Sequence, residues 1–299
     1  MKLRQLQNLI AIAESGSIRQ ASRDLNLSQS AITKSIQQLE DYLNTKLLYR
    51  NSQGVALTAT GQALFERAKV VDAEIRNAHN DVESVRDAVK GEVRILASPS
   101  VAIGLLPKAV VEFKKEKPGT NFRIDEGVYP ENLAAVRIGE ADFAICMLPE
   151  RLIDQSLSLE FLIKDRLTIA VRSENSLVKK RNLSLGGLQK LNWVTYQKSP
   201  SSRDIFSKLF QINSLQLPEN VIECSSLAAT IALIANSDCI TIFPRHMFAD
   251  NTIDYRIKPL NLKTRMPAWN IAVIFRSKNA LSPICKSFLE KLRSVYGSM

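Results

Sequence analysis

Residues that most often build catalytic and metal sites are scarce in this sequence, which has two histidines and four cysteines among 299 residues. No two cysteines form a CxxC pair, and no GxSxG elbow, P-loop or GxGxxG fingerprint occurs. A Ser–His catalytic pair would need His246, which has no partner motif. We therefore expect no enzymatic activity, no cofactor and no metal. The cysteines lie in apolar surroundings, so we expect reduced, buried thiols, with redox sensing as the alternative.

Long hydrophobic runs are also absent, since the longest candidate, residues 227–243, is interrupted by a polar triplet at 236–238. A membrane helix needs about 20 apolar residues. The first residues do not resemble a signal peptide, because Lys2 and Arg4 lead into an amphipathic segment rather than an apolar block. We expect a soluble, cytoplasmic protein of two or three domains without membrane contacts. Its net charge of +10 favours a polyanionic partner.

Residues 17–40 have the pattern of two short helices joined by a tight turn. Ser17 is a good N-cap with Gln20 placed to complete a capping box, and Ser28 can cap the second helix. The apolar face of the second helix consists of Ile32, Ile36 and Leu39. Its opposite face is polar and carries Gln29, Ser30, Thr33, Lys34 and Gln37. The pattern predicts a helix-turn-helix with this face in a DNA major groove, although an ordinary helical hairpin would share it.

The segment after these helices favours DNA binding. Residues 47–50 form a short apolar run that ends in Arg50, residues 51–54 form a turn, and residues 55–57 return as a second strand. This predicts a small hairpin, or wing, with Arg50 at its edge in position to contact phosphate. Together with a first helix over residues 1–13, the N-terminal region is predicted to be an all-α winged helix-turn-helix.

Residues 1–61 resemble the N-terminal signature of the LysR-type transcriptional regulators. The signature is carried here by Leu3, Leu6, Gly16, Ser17, Ala21, Leu25, Ser28, Gln29, Ala31, Ile32, Ile36, Leu39, Glu40, Leu47, Leu48, Arg50, Leu57, Thr58 and Gly61. The sequence departs from the family pattern with Ser22 for a usual Ala, Ser30 for Pro, Thr33 for Ser and Leu48 for Phe. The resemblance implies sequence-specific binding of double-stranded DNA. The residues expected to contact it are Arg19, Arg23, Ser28, Gln29, Ser30, Thr33, Lys34, Gln37, Arg50 and Asn51.

A heptad pattern follows over residues 60–89. Apolar residues alternate at spacings of four and three, at Leu64, Ala68, Val71, Ile75, Ala78, Val82, Val85 and Val89. No proline interrupts the segment, so we predict one long helix that pairs with a second copy through the first seven of these residues. A long helix packed on its own domain is the alternative. The predicted domains are therefore residues 1–60, a linker helix over 61–90, and residues 91–299.

Strands and helices alternate from residue 91 onward, which predicts two α/β lobes with mainly parallel sheets. The predicted elements include helices over residues 103–117 and 283–296 and strands over residues 162–171 and 193–196. In the LysR-type family this region is an effector-binding domain that looks like a periplasmic binding protein. The resemblance implies a first lobe of residues 91–162 and 268–299, and a second lobe of residues 163–267.

Serine-rich turns follow a strand in each lobe and form the candidate effector site. The candidate residues are Ser98, Pro99 and Ser100 in the first lobe, Ser199, Ser201, Ser202 and Arg203 in the second, and Tyr129, Met147, Phe243 and Pro244 as apolar walls. Hydroxyls and helix N-terminal N–H groups can hold a carboxylate or sulfonate. We therefore expect a small anionic or aromatic effector. Simple helix capping is the alternative for each serine.

The resemblance also implies an assembly and its partners. Members of the family usually form a homodimer and then a dimer of dimers, or homotetramer, that bends a dyad-symmetric operator. RNA polymerase is a further expected partner. A purely architectural DNA-binding protein would not need the cleft-forming residues 91–299, so a regulator that senses a ligand is favoured over that class.

Overall fold

The structure is a computed structural model of the chain that describes residues 1–51, 54–86, 91–148, 156–196, 200–251, 253–264, 266–276 and 281–296. Within these ranges, the side chains of residues 50–51, 83–86, 200–204 and 250–251 are not described. The chain forms three helices with a two-stranded wing, then one long helix, then an α/β region. None of the described helices is long and apolar enough to cross a membrane.

Three helices open the chain: α1 (Leu3–Ser15), α2 (Ile18–Asp24) and α3 (Gln29–Leu43). Two of them begin at the predicted serine caps, since Ser17 Oγ accepts from the Gln20 N–H at 3.3 Å and Ser28 Oγ from the Ala31 N–H at 3.1 Å. The capping box predicted at Ser17 is only half formed, because the Gln20 side chain donates to Asp24 instead. Helix α1 begins and ends two residues later than predicted.

The core of this region is the predicted apolar face of α3 packed on α1. Leu9, Ile12, Ile32, Ile36 and Leu39 are at most 1% exposed. The wing consists of strands β1 (Leu48–Asn51) and β2 (Gly54–Leu57), paired antiparallel as predicted. It is tied back to α1 by a hydrogen bond from the Val55 N–H to the carbonyl of Gly16 at 3.0 Å. The three helices and the wing therefore form one packed unit.

Glu40 connects α3 to the start of the wing. Its buried carboxylate accepts from the N–H groups of Leu47 at 2.9 Å and Leu48 at 3.4 Å, and from the Lys46 ammonium at 2.8 Å. Burial raises the pKa of Glu40, but these hydrogen bonds lower it by more, so its pKa lies below the usual value. The carboxylate therefore satisfies two backbone donors that would otherwise be buried without partners.

Helix α4 (Ala59–Arg86) has 28 residues and is about 42 Å long at 1.5 Å per residue. The heptad residues predicted to pair with a second copy, Leu64 to Val85, are called the seam below. The start of this seam packs within the chain, because Leu64 and Ala68 contact Leu6 and Ile10 of α1. Ala68 is 1% exposed, so the structure differs from the prediction there: α1 covers it and leaves no surface for a second copy.

The remainder of the seam is more open. Val71 and Val82 are 41% and 57% exposed, Ala78 is exposed and Ile75 is half-buried. The side chain of Val85 lies outside the described residues, as does all of Val89. Pairing of two copies through α4 stays a prediction, restricted to the part of the helix beyond Ala68.

Helix α4 also contacts the α/β region of the same chain. The Lys69 ammonium forms ion pairs with Glu14 of α1 and, at 3.0 Å, with Glu140. Beside this pair, a Cβ on Gly139 would lie 2.3 Å from the Cβ of Ala73, and the φ of Gly139 is 76°. Both facts require glycine at position 139. The first helix, the long helix and the loop at 139–140 therefore form one contiguous contact.

The α/β region contains nine strands within its described residues: β3 (Gly91–Ala97), β4 (Thr120–Glu126), β5 (Phe143–Leu148), β6 (Ser158–Arg172), β7 (Trp193–Tyr196), β8 (Val221–Cys224), β9 (Thr241–Pro244), β10 (Ile257–Pro259) and β11 (Ala268–Phe275). Its α-helices are α5 (Pro99–Gly104), α6 (Leu106–Glu116), α7 (Glu131–Arg137), α8 (Leu185–Leu188), α9 (Pro200–Ile212), α10 (Leu227–Ala235) and α11 (Pro283–Tyr296). Two 3-10 helices, Ser176–Lys179 and Arg245–Asn251, complete it.

The region of the helix predicted over residues 103–117 contains parts of two helices, the end of α5 and all of α6. The chain turns at Leu105, and Pro107 lies in the first turn of α6, where a proline loses no helical hydrogen bond.

The main sheet is mixed, and the prediction of mainly parallel sheets is wrong. Its strand order is β10-β6-β11-β5-β3-β4, with β9 also paired to β6. Strand β3 pairs parallel to β4 and β5, and β7 pairs parallel to β8. Strand β11, however, is antiparallel to both β5 and β6, and β9 and β10 are antiparallel to β6. Strand β11 comes late in the chain but lies in the first lobe between β5 and β6, and it runs in the opposite direction to both.

Strand β6 belongs to both lobes. Its residues 158–166 pair with β11 in the first lobe, and its residues 167–172 pair with β9 and β10 in the second. Each lobe has its own core: Phe113, Phe143 and Phe288 lie in the first, and Trp193 and Phe210 in the second. The C-terminal helix α11 contributes Phe288 to the first lobe, so that lobe contains both early and late segments of the chain. A cleft lies between the two cores.

Candidate functional site

The polar face predicted on α3 is exposed. Gln29, Lys34 and Gln37 are exposed and make no hydrogen bond or ion pair within the described part of the chain. Ser30 is exposed and lies 3.0 Å from the cap hydroxyl of Ser28, while Thr33 is half-buried. The opposite face of α3 holds the buried apolar residues, so the exposed face is free to enter a groove.

Cations flank this face. Arg19 and Arg23 of α2 are exposed and also unpaired within the described residues. Arg50 and Asn51 stand at the end of β1, and their side chains lie outside the described residues. Ser22, which stands for an Ala in the family pattern, is buried and donates its hydroxyl to the Arg19 carbonyl at 2.8 Å. The departure at Ser22 therefore leaves no buried hydroxyl without a partner.

A cavity of about 150 Å³ lies between the two lobes of the α/β region. Seven of the predicted effector residues line it, and they are Ser98, Pro99, Ser100, Tyr129, Met147, Phe243 and Pro244. They come from the cap and first residues of α5, from β5, from the loop before α7 and from β9, which the fold brings to one place. An apolar cavity of this size holds a single benzene-sized ring.

Two hydroxyl groups in this cavity have no hydrogen-bond partner among the described residues. The Ser98 Oγ and the Tyr196 OH are both buried and unpartnered. Ser98 precedes α5 as its N-cap residue, yet its side chain makes no capping bond, so helix capping does not explain it. Burial, together with the charge of Glu126, raises the pKa of Tyr196 to about 12, so its hydroxyl stays protonated. Buried polar groups without a partner are rare, and these two can each form a hydrogen bond with a water molecule or a ligand in the cavity.

The rest of the described lining is mostly apolar and includes the two threonines Thr195 and Thr241. Sequence reasoning missed the following lining residues: Val128, Leu167, Val194, Thr195, Tyr196, Ile205, Phe206, Leu227, Thr241, Ile242 and Met247. No Lys, Arg, Asp or Glu belongs to the described lining. Cys146 also lines the cavity, and burial raises the pKa of its thiol to about 11, which keeps it protonated and unreactive. The strand-end position of Thr195 and Tyr196, just before α9, was the signal that could have found them.

The serine-rich turn predicted in the second lobe lies at the edge of what the structure describes. Ser199 is outside the described residues, and Ser201, Ser202 and Arg203 belong to α9 with side chains that are not described. Ile205 and Phe206, one turn further along α9, line the cavity. Within the described residues, no cluster of three or more His, Cys, Asp and Glu could hold a metal ion.

Two protein-family models match this chain. A model of the bacterial regulatory helix-turn-helix protein of the lysR family matches residues 3–62, and a model of the LysR substrate binding domain matches residues 86–297. The HTH-type transcriptional regulator TdcA of Escherichia coli K12 is 26% identical over 302 residues, which cover 99% of this chain and 94% of that protein.

Solved structures share the fold along its full length. CbnR, a LysR family transcriptional regulator, superposes with a TM-score of 0.72 at 21% identity, covering 99% of both chains. Full-length CbnR in complex with its target DNA gives a TM-score of 0.57 at 23% identity, again covering 99% of both chains. Because the two family models together match most of the sequence, the chain belongs to the LysR family of transcriptional regulators, with a helix-turn-helix DNA-binding domain and an effector-binding domain, and is not an enzyme.

Proposed function

We propose that this regulator acts in the cytoplasm as a homodimer, reads a dyad-symmetric operator with α3, and senses a small aromatic effector between its lobes. The observation that carries the sensing part is the pair of buried, unpartnered hydroxyls of Ser98 and Tyr196 in one cavity. The exposed polar face of α3 supports the DNA-binding part. Assembly into a dimer of dimers and contact with RNA polymerase stay predictions from the family.

The DNA contacts divide by chemistry. Gln29 can form a bidentate contact with a base edge, whereas Lys34 and the flanking cations Arg19, Arg23 and Arg50 suit phosphates. Two α3 helices in a symmetric dimer would address half-sites about one helical turn apart, or a multiple of it. The exposed apolar residues of α4, Val71 and Val82, support pairing beyond Ala68.

The sequence leaves two classes of effector open, anionic and aromatic, and the lining and volume of the cavity favour one of them. Its described walls are mostly apolar and its volume fits one ring, which favours the aromatic alternative. Ser98 comes from the first lobe and Tyr196 from the second, so one ligand with two polar groups can satisfy both hydroxyls. We therefore propose a single-ring aromatic effector that carries at least two hydrogen-bonding substituents.

Calorimetry on the full chain with resorcinol, phenol and toluene tests this class. Because each ligand hydrogen bond adds about 0.5–1.5 kcal/mol, affinity should fall from resorcinol to phenol to toluene by up to about tenfold per hydroxyl lost. Ser98→Ala and Tyr196→Phe should each remove most of the advantage of resorcinol over phenol. Equal affinity for toluene and resorcinol, or binding of aliphatic dicarboxylates alone, would contradict the proposal.

A further inference from the structure

His246 lies directly behind the effector cavity in a buried polar cluster. It belongs to the 3-10 helix Arg245–Asn251, and its side chain is 3% exposed. Its ring Nδ1 is 2.7 Å from the Asp165 Oδ2 of β6, and its Nε2 is 3.0 Å from the carbonyl oxygen of Ser100 on α5. Both ring nitrogens therefore face oxygen atoms on other elements.

These two contacts limit which ring nitrogens can carry a hydrogen. A backbone carbonyl oxygen can only accept, and a carboxylate oxygen does the same. A neutral imidazole has one N–H, so one of its nitrogens would point a lone pair at an oxygen lone pair. While Asp165 is ionised, only the doubly protonated ring donates to both. Asp165 is suited to balance that charge, because its Oδ2 also lies 3.3 Å from the backbone N–H of His246.

Three nearby cationic side chains would repel a positively charged His246 ring. Lys108, Lys164 and Arg245 line the solvent side of the groove that contains His246 and Asp165. All three are exposed, so water and salt screen their repulsion. Asp165 is buried and in direct contact with the ring, and its attraction therefore outweighs theirs.

The cluster joins the two walls of the cavity. Ser100 lines the cavity from α5 of the first lobe, while Pro244 and Met247, on either side of His246 in the chain, line it from the second. The ring also packs closely on α5, because a Cβ on Gly104 would lie 2.6 Å from the His246 Cδ2. A bond at His246 therefore controls how closely α5 approaches the second lobe.

We propose that His246 is a charged positioning residue, an imidazolium paired with Asp165 that holds the Ser100 wall of the cavity against the Pro244–Met247 wall. Its effect on ligand affinity rests on the proposed function of the cavity, but its charge and its hold on α5 do not. With this bridge in place, the cavity is already formed before the ligand binds. Loss of the bridge should therefore lower resorcinol affinity tenfold or more.

Nitrogen NMR on the full chain tests the charge directly. The sequence has only two histidines, so ¹⁵N-histidine labelling gives two ring signals, and His79→Gln assigns them. His79 is exposed and serves as the internal reference. At neutral pH, both ring nitrogens of His246 should show the chemical shifts of protonated nitrogen. A shift pattern with one unprotonated nitrogen would overturn the proposal.

Three variants test the positioning role: His246→Gln, Asp165→Asn and the double variant. Removing either partner alone leaves an unpaired buried group, so each single variant should lower the unfolding midpoint more than the double variant does. In the folded double variant, amide exchange over 99–105 should be faster and resorcinol should bind at least tenfold more weakly. Additive single effects, or unchanged exchange at α5, would refute the role. If the wild type does not bind resorcinol, the effector proposal fails while the NMR and exchange results still decide this one.

Discussion

Replacing Glu40 by alanine should loosen the joint between α3 and the wing. The carboxylate accepts the N–H groups of Leu47 and Leu48, and the side chain is largely buried. Each buried donor left without a partner costs about 1–3 kcal/mol. The Leu48 bond is long, so most of the loss comes from Leu47, and we expect Glu40→Ala to destabilise the N-terminal region by about 1–3 kcal/mol. The exposed Lys46 partner adds little.

Amide hydrogen exchange over residues 45–50, with chemical denaturation of the full chain, measures this effect. The neighbouring Asp41 is exposed and unpaired within the described residues, so Asp41→Ala is the matched control and should change stability by less than about 0.5 kcal/mol. Equal exchange rates in the Glu40 and Asp41 variants would refute the role assigned to the carboxylate.

The charge of Glu40 adds a pH dependence with a definite sign. Its pKa in the folded protein lies below the unfolded value, so its contribution is complete above the unfolded pKa and is lost as the pH falls through the folded pKa. Glu40→Gln keeps an accepting oxygen but cannot ionise. The stability difference between wild type and Glu40→Gln should therefore shrink below about pH 4. A constant difference down to pH 3 would contradict this assignment.

Three further perturbations test the interface, the seam and the domain contact. Gln29→Ala should lose about 1–3 kcal/mol of operator binding in fluorescence anisotropy without weakening binding to random duplex; equal losses on both would remove Gln29 from base recognition. Val82→Asp should yield a monomer in sedimentation velocity, because it places a charge in the exposed part of the seam; a persistent dimer would show that α4 does not pair there. Gly139→Ala should lower the unfolding free energy by about 1–3 kcal/mol, because its Cβ would overlap Ala73, and an unchanged melting curve would show that the two segments separate freely.

Elements with local signals were predictable from the sequence. The caps at Ser17 and Ser28 identify the first residues of α2 and α3, and the buried repeat of Ile32, Ile36 and Leu39 identifies the core face of α3, which ends three residues beyond the predicted pair. Strand β7 and helix α11 also match their predicted bounds, because Trp193–Tyr196 and Pro283–Tyr296 combine strong periodicity with clear flanking signals. For these segments, the information that selects the structure lies within a few residues of the chain.

Features that depend on distant segments were not predictable in the same way. The direction of β11 follows from pairing with β5 and β6, more than a hundred residues earlier. The unpartnered hydroxyl of Tyr196 and the contacts of His246 are visible only once both lobes are assembled. Ser98 shows the limit most clearly, because its sequence position suggested a helix cap and only the structure shows that its hydroxyl forms neither a capping bond nor any other hydrogen bond with the described residues.

The sharing of β6 by both lobes limits how an effector can alter this protein. The strand exchanges one set of ladder partners for another between Arg166 and Leu167, and the N–H of Leu167 donates to the carbonyl of Pro267, where the chain crosses back. A backbone hydrogen bond thus joins the two crossings, at the point where the chain itself connects the lobes. We therefore expect ligand entry to change the angle between the lobes about this point more than the distance between them.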